Sequence, residues 1–516
     1  MKKISSLLLM LAMLLACFSG CSNGRKEALG TEKANIELWV VTEKTRWDGM
    51  NSQTRTLIKE FEETHENVTI KLDILPLDPE ERDIYLEKLR VQIISGKGPD
   101  VYLLPTSGTM FVESVNRYPD VTVEKLFHDE YLTMYNGHFA DISEYYDADE
   151  SLGKEQLVTE IMNAGVLDGA RYILPLRYDY PVIYAATDRL ETLKTDLDVL
   201  KSGIITDIMD LAIDTRNGKL ASAADTVYFR SKYLLHFSNC IDYENEEVTL
   251  SVEEAEGLLE KYRRIYNLAG NTGKYKSASE PYFLGGTFDH RYIMEGEHLD
   301  NSDCILMSGY LKNIMEAVAV SKAVGFDLTM IPVRNGRGEL VANVTYYGAV
   351  GSGSEYPETA YAFLRMFLLG DSQWENNRER QDLDKNSFDG GSTAGYIAEG
   401  WPVRSLCEAE NLWKMYYTPY VEKGKKGEGS HGEYYYVFNE VEGSRPRYKQ
   451  IRNVEITNED LAILEMPIDK VMFDLTLGAD LVGIANPLVF PEVGSANAHE
   501  LAEELIKKLE LHLAEG

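Results

Sequence analysis

Apolar and polar residues alternate with two different periods in the stretch that follows residue 34. The run NIELWVV is typical of a buried strand, and VTIKLDIL repeats the period of a strand. Between them, Leu57, Ile58 and Phe61 recur at helical spacing within residues 52–64. This order of strand, helix and strand predicts an α/β fold with a parallel or mixed sheet whose faces are covered by helices.

The stretch IISGKGPDVYLL, residues 93–104, joins a helix to a strand. Asp78 is suited to cap a helix whose periodicity continues to the breaker Gly96, and a short apolar run follows. A phosphate-binding loop has the reverse order, because it follows a strand and opens a helix. We therefore predict a structural role for Asp100, and any ligand at the other end of the strand, near residues 105–109.

Three more helices are predicted farther along the chain. One opens with a capping box formed by Ser251 and Glu254, and a second covers residues 357–369 between a proline and a glycine. The last helix carries its apolar stripe through Leu501, Leu505 and Leu509.

The amino terminus has the pattern of an export signal. Two lysines precede an apolar run at residues 4–16, which is shorter than the ~20 residues that a membrane-spanning helix needs. The run ends in LLACFSGCSNG, which resembles a bacterial lipobox, with Cys21 as the favoured lipidation site and Cys17 as the alternative. We predict a lipoprotein signal peptide at 1–20 and a flexible tether at 21–34.

Length and charge restrict the possible functions. A chain of 516 residues is long enough for two large lobes, and 84 acidic against 52 basic residues give a formal net charge of −32. Such a surface repels phosphate backbones, so we expect no nucleic-acid partner. Beyond the signal region, Cys240, Cys304 and Cys407 lack CxxC spacing and are interpreted as buried thiols.

Motifs that would indicate catalysis or metal binding are absent from the sequence. It contains no His-x-x-x-His pair, GxSxG elbow, Walker loop or Rossmann GxGxxG. The stretch that begins at Asp382 starts like a calcium loop but lacks the glycine and glutamate that complete one, so a surface turn is favoured and calcium stays a minor alternative. We predict no metal and no cofactor.

Several segments, taken in order, resemble the family 1 extracellular solute-binding proteins, the carbohydrate-type receptors of ABC importers to which maltose-binding protein belongs. The resemblance covers most of residues 36–405 and rests on LIKEFEETHENVTIKLDIL, LEKLRVQIISGKGPDVYLL, FADISEYY, DGARYILPLRYDYPVIYAATD, FDLTMIPV and SEYPETAYAFLRMFLLGD. It implies a two-lobed periplasmic-binding-protein-like fold, a type II clamshell with hinge strands between the lobes. Residues 413–516 are less typical and could reshape the cleft.

The resemblance also implies where the chain crosses between the lobes. The expected crossings lie near 175–184, 305–310 and 346–353, and the glycine-rich YYGAVGSGS suits a hinge. Lobe 1 then comprises residues 35–175 and 310–347, and lobe 2 comprises residues 176–309 and 348–516.

Sugar binding requires aromatic rings for the apolar faces of the sugar and polar groups for its hydroxyls. Residues of these types follow the predicted strands and lie in the first crossing, RYDYP, where the family commonly has a polar ligand contact. Asp179 is the strongest single candidate. The predicted ligand-binding residues are Thr42, Glu43, Trp47, Thr106, Ser107, Arg177, Tyr178, Asp179, Tyr180, Tyr228, Phe229, Tyr310, Trp401 and Arg404.

The implied function is non-enzymatic. An extracytoplasmic lipoprotein, anchored by lipid to the outer face of the bacterial cytoplasmic membrane, would capture a sugar or oligosaccharide and deliver it to the membrane subunits of an ABC permease. Two alternatives are a surface lipoprotein that hydrolyses glycans with paired carboxylates, and a receptor lipoprotein that senses a ligand.

Overall fold

The computed structural model describes more than half of the chain, in separate ranges of residues. They are 35–43, 49–76, 78–106, 111–112, 121–122, 124–186, 197–216, 240–243, 245–270, 306–311, 328–369, 401–403, 433–434, 451–452, 466–473, 488 and 497–515.

Strands and helices alternate through the first half of these residues, as the periodicity predicts. The strands are β1 (Ile36–Thr42), β2 (Val68–Ile74), β3 (Val101–Pro105), β4 (Phe111–Val112), β5 (Val121–Thr122), β6 (Val166–Leu167), β7 (Ala170–Arg171), β8 (Ile173–Ala186), β9 (Ile241–Asp242), β10 (Glu247–Val248), β11 (Leu306–Leu311), β12 (Leu328–Pro332), β13 (Val341–Val350), β14 (Trp401–Pro402), β15 (Glu433–Tyr434), β16 (Ile451–Arg452) and β17 (Lys470–Met472). The α-helices are α1 (Gly49–Thr64), α2 (Pro79–Ile94), α3 (Glu130–Tyr135), α4 (Ser143–Ala148), α5 (Thr159–Asn163), α6 (Leu197–Ser202), α7 (Ile205–Thr215), α8 (Val252–Gly270), α9 (Pro357–Leu364) and α10 (Ala498–Glu515), and 3-10 turns cover Glu150–Leu152, Lys154–Gln156 and Arg365–Leu368.

A mixed sheet forms the centre of the fold, in the order β11-β8-β13-β3-β1-β2. β1 and β3 are parallel, whereas β13 runs antiparallel to both β3 and β8. Shorter strands extend this sheet, because β12 and β14 pair with β8 and β17 pairs with β13. The predicted α/β class is confirmed.

Two strands change partners along their length. The first half of β8, residues 173–179, pairs with β13, and residues 180–185 pair with β11. In β13, residues 341–343 pair with β17, and residues 346–350 pair with β3. β8 therefore joins β13 to β11 and β12, and β13 joins β3 to β8 and β17.

The predicted junction at residues 93–104 is confirmed. The Asp78 carboxylate caps α2 by accepting hydrogen bonds from the amides of Glu80 and Glu81, and Gly96 ends the helix with a φ of +70°. The Asp100 carboxylate accepts from the Trp39 amide at 2.8 Å and from the Ser354 hydroxyl at 2.6 Å. Asp100 is structural, as predicted.

One hydrophobic cluster lies around α8 and α10. Leu259 and Ile265 of α8 are buried with Leu501 and Leu505 of α10, and residues of α7 complete the cluster. The predicted capping box opens α8, since the Ser251 amide donates to the Glu254 carboxylate at 2.9 Å. Both helices form where their apolar stripes predict them, because those stripes pack against each other.

A second packing layer joins α9 to α1. The rings of Phe363 and Phe61 meet edge to face at 5.5 Å, and Gly348 in β13 leaves room for Leu364, whose Cδ2 would lie 2.7 Å from a Cβ there. These contacts place α9 beside α1. The division of the chain into lobes stays a prediction.

The glycine-rich segment after β13 is explained by close packing. A Cβ on Gly351 would lie 2.1 Å from the Pro99 carbonyl oxygen. Only glycine therefore allows the residue that follows β13 to pack against Pro99, in the corner that precedes β3.

Several predictions fall on residues outside the described part of the chain. These are the signal peptide, the tether, Cys17, Cys21, Cys304, Cys407 and the stretch that begins at Asp382. Cys240 is a buried thiol, and burial raises its pKa to about 12. Within the described ranges, no helix combines the length and the apolar character that crossing a membrane requires.

Candidate functional site

Polar side chains are buried where β1 and β3 end and where β8 and β13 run together. Because β1 and β3 are parallel, their carboxyl ends reach the same edge of the sheet, and β13 brings its own polar residues there. The buried polar residues at this edge, none more than 4 % exposed, are Thr42, Glu43, Thr106, Arg177, Asp179, Asn343 and Thr345.

Asp179 of β8 and Asn343 of β13 lie opposite each other in the strand pair. The Asn343 side-chain amide donates to the Asp179 carboxylate at 3.4 Å, and both residues are buried. Asp179 therefore lies at the point where both strands change partners, next to a side chain that stabilises its charge.

The pairing of β8 with β13 is interrupted beside this contact. Val344 is opposite Tyr178 and Tyr346 is opposite Arg177, so Thr345 is an extra residue on β13. Tyr347 is opposite Pro175, so Leu176 is an extra residue on β8, and the register is the same before and after the irregularity. Such a β-bulge bends a strand and changes the direction of nearby side chains.

The ends of β1 and β3 hold β13 at this bulge. The Thr106 amide donates to the Thr345 carbonyl at 3.1 Å, and its hydroxyl donates to the Val344 carbonyl at 2.5 Å. The Tyr346 hydroxyl donates to the Leu103 carbonyl at 3.1 Å and lies 2.9 Å from the Thr42 hydroxyl. Either hydroxyl can be the donor in this contact, and the Thr42 hydroxyl also lies 3.5 Å from the Glu43 carbonyl oxygen, to which it can donate.

Glu43 is bonded to an arginine that the sequence analysis did not identify. Two nitrogens of the Arg82 guanidinium donate to the two Glu43 carboxylate oxygens, at 2.9 and 2.5 Å, and both side chains are buried. Burial raises the pKa of the Glu43 carboxyl, and the bonds from Arg82 oppose that rise. Arg82 also donates to the carbonyl groups of Pro76 and Glu124. Its side chain therefore connects the segments that contain Glu43, Pro76 and Glu124.

The tyrosines of RYDYP are buried. Tyr178 is 6 % and Tyr180 is 2 % exposed, and burial raises the pKa of Tyr178, with a smaller contribution from Glu160. In the backbone pairing, Trp401 is opposite Tyr178 and Tyr310 is opposite Pro181. Strand β8 thus lies next to the backbones of two more predicted ligand-binding residues, Trp401 and Tyr310.

The structure brings part of the predicted site together. Thr42, Glu43, Thr106, Arg177 and Asp179 share one edge of the sheet. The predicted residues that lie outside the described ranges are Trp47, Ser107, Tyr228, Phe229 and Arg404.

Sequence reasoning missed Arg82, Asn343, Thr345 and Tyr346. Asn343 and Thr345 carried a signal, because both are polar residues within the otherwise apolar strand VANVTYYGAV. Arg82 carried no such signal in the sequence, because it belongs to a helical turn rich in charged residues. In the ranges that the structure describes, no group of three or more His, Cys, Asp or Glu residues is arranged to hold a metal ion.

Comparison with solved structures identifies the fold. A periplasmic oligogalacturonide-binding protein from Yersinia enterocolitica matches with a TM-score of 0.52 at 13% identity, over 93% of this chain and 99% of that one. The chain has the fold of the periplasmic solute-binding proteins. A structure described as a de novo designed cysteine esterase matches with a TM-score of 0.51 at 13% identity, over 94% and 99% of the two chains.

An extracellular solute-binding protein family 1 from Alicyclobacillus acidocaldarius also matches, with a TM-score of 0.48 at 11% identity, over 94% of this chain and 100% of that one. No protein-family model matches the sequence, and no curated protein matches it. At these identities the likeness concerns the fold alone. The fold expected from the sequence is confirmed.

Proposed function

We propose that this protein is an extracytoplasmic solute-binding protein that captures a sugar or oligosaccharide between two lobes. The observation that carries the proposal is the buried polar edge at which β8 and β13 change partners, with Asp179 and Asn343 at its centre. In open α/β sheets, ligands collect at the carboxyl ends of strands where the connections diverge. The name of the Yersinia protein with the same fold, an oligogalacturonide-binding protein, is consistent with such a ligand.

The polar groups at this edge match the chemistry of a sugar. The Asp179 carboxylate can accept bonds from ligand hydroxyls, and Asn343 can both donate and accept. Tyr178 and Tyr180 supply aromatic surface for the apolar faces of a pyranose ring. Because these residues are buried here, a ligand reaches them when the lobes separate, and we propose that β8 and β13 are the strands about which they do so.

Glu43 has a different role in this proposal. Both of its carboxylate oxygens accept from Arg82, so we assign it to holding the chain after β1 rather than to ligand contact. Trp47, Ser107, Tyr228, Phe229, Tyr310, Trp401 and Arg404 remain candidate contacts from the surrounding segments.

We further propose that the protein acts without catalysis, as a lipid-anchored receptor. Lipidation at Cys21, or at Cys17 in the alternative, would hold it at the outer face of the cytoplasmic membrane. There the closed, ligand-bound form would be recognised by the membrane subunits of an ABC permease.

Titration calorimetry tests the site. Soluble protein that starts at the tether is screened against galacturonides and neutral oligosaccharides by thermal shift, because a ligand that binds the folded state raises the melting temperature. With the strongest ligand, Asp179→Asn is expected to weaken binding by about 1.5–3 kcal/mol, since it removes charge-assisted hydrogen bonds.

The matched control is Asp83→Asn on the exposed surface of α2, for which we expect unchanged affinity. Wild-type affinity in Asp179→Asn would contradict the site assignment. Release of shorter glycans during the titration would support the hydrolase alternative instead.

A further inference from the structure

We propose that Thr42, Thr106 and Tyr346 form a hydroxyl clasp that fixes the β13 bulge in register, so that Asn343 stays opposite Asp179. These residues are positioning residues and not ligand contacts. The consequence for ligand binding rests on the function proposed above, whereas the clasp itself is a property of the unliganded protein.

The clasp acts on consecutive residues of one strand. Thr106 bonds the carbonyl groups of Val344 and Thr345, and the hydroxyl of Tyr346 bonds both Thr42 and the Leu103 carbonyl. The carboxyl ends of β1 and β3 therefore hold the three residues that form and follow the bulge. Thr42 and Thr106 are fully buried, and Tyr346 is 1 % exposed.

A bulge requires such bonds for two reasons. The Thr345 carbonyl accepts from the Thr106 amide in the register of the β13–β3 ladder, whereas the Val344 carbonyl accepts from the Thr106 side chain, and buried carbonyl groups need a partner. In addition, a bulge that moves by one residue turns the side chains of the intervening segment to the opposite face of the sheet. Movement of this bulge toward residue 343 would take Asn343 away from Asp179.

The position of the clasp explains why a hydroxyl-bearing residue occurs at position 106. Any amino acid other than proline can supply the amide that donates to Thr345, but the bond to the Val344 carbonyl at 2.5 Å needs a side-chain donor, which the Thr106 hydroxyl supplies. Since its proton is used within the protein, the Thr106 hydroxyl has none to donate to a ligand.

Hydrogen exchange followed by mass spectrometry, on full-length unliganded protein, tests the clasp. Thr106→Val keeps the shape of the side chain and removes the hydroxyl, so exchange in peptides covering residues 341–350 is expected to accelerate roughly fivefold or more. Thr106→Ser retains the hydroxyl and is expected to exchange at the wild-type rate. Tyr346→Phe, which removes the other hydroxyl, is expected to accelerate exchange in the same peptides.

Two outcomes would overturn the clasp. One is wild-type exchange at residues 341–350 in both Thr106→Val and Tyr346→Phe. The other is acceleration spread equally over α8 and α10, which would mean that the variants loosen the whole fold. A glycan screen without any binder would count against the proposed function and leave the exchange result standing, so the two failures are distinguishable.

Discussion

Arg82 carries a full charge at a position with no exposed surface. Its guanidinium forms a two-pronged bond with Glu43, and its remaining bonds go to backbone carbonyl groups. A buried ion pair of this kind gains little over apolar residues of similar size, but loss of one partner leaves the other charge buried and unpaired.

The first residue-scale prediction follows from that asymmetry. Arg82→Met is expected to lower the free energy of unfolding, measured by urea denaturation, by about 3–5 kcal/mol. The double variant Arg82→Met with Glu43→Leu is expected to lose less than the sum of the two single variants.

Lys59→Met is the control, because Lys59 and Glu63 form an exposed pair at 3.8 Å with 77% and 64% of their side chains accessible. Its cost is expected to stay below about 1 kcal/mol. Additive costs for Arg82 and Glu43 would show that the two groups are not coupled.

At the scale of an element, α3 is held at its first turn by contacts from two distant segments. Asp129 caps this helix through the Leu132 amide, and its other oxygen accepts from the Tyr243 hydroxyl at 2.5 Å and from His512 at 2.7 Å. Tyr131 stacks on Tyr243 at 4.9 Å between ring centres. The helix is too short to be stable alone, so these contacts with the α8 and α10 side of the molecule maintain it.

The hydrogen bonds to the Asp129 carboxylate predict that the stability of the fold depends on pH. Burial raises the pKa of Asp129, but the bonds from His512, Tyr243 and the Leu132 amide outweigh burial and leave the pKa below its ordinary value of 3.8. A carboxyl with a lowered pKa stabilises the fold above that ordinary value and loses this effect as pH falls through its pKa in the folded protein.

Asp129→Asn retains a side chain that can cap the helix and removes the titrating group. The stability difference between wild type and this variant is expected to be largest near pH 6 and to shrink steadily below about pH 4, in thermal denaturation across that range. Asp141→Asn, a change in an exposed carboxylate that bonds the Ser143 amide, is the control. A stability difference between wild type and Asp129→Asn that does not vary with pH would contradict the conclusion that the Asp129 carboxyl has a lowered pKa in the folded protein.

At the scale of the whole molecule, β8 and β13 connect the part of the sheet that contains β1 and β3 to the part that contains β11 and β12. A strand such as β8, whose two halves pair with different strands, allows a bend at the change of partner, because each half keeps its own pairing. We propose that lobe closure uses this bend.

Small-angle scattering checks the proposed closure. Addition of the glycan selected by the thermal-shift screen is expected to reduce the radius of gyration, through rigid movement of two lobes. Asp179→Asn at the same glycan concentration is expected to change less, in proportion to its lower occupancy. A scattering curve that stays the same at saturating glycan would exclude a clamshell movement, although not binding.

Much of the secondary structure was predictable from the sequence, because its causes are local. The Asp78 cap and the Ser251–Glu254 capping box join residues two or three positions apart, and the apolar stripe of α10 can be read at a fixed spacing. The residue types in the candidate site were predictable for the same reason, since polar residues stand out where strands end or cross.

The partners of those residues depended on the tertiary structure. Arg82 reaches Glu43 across 39 positions, Asn343 reaches Asp179 across 164, and Thr106 reaches Val344 across 238. The register of the sheet sets the second and third of these contacts, and the packing of α2 against the end of β1 sets the first. Periodicity identified Thr42, Glu43 and Thr106 as polar residues at strand ends, but only the folded chain determined that their side chains bond to the protein itself.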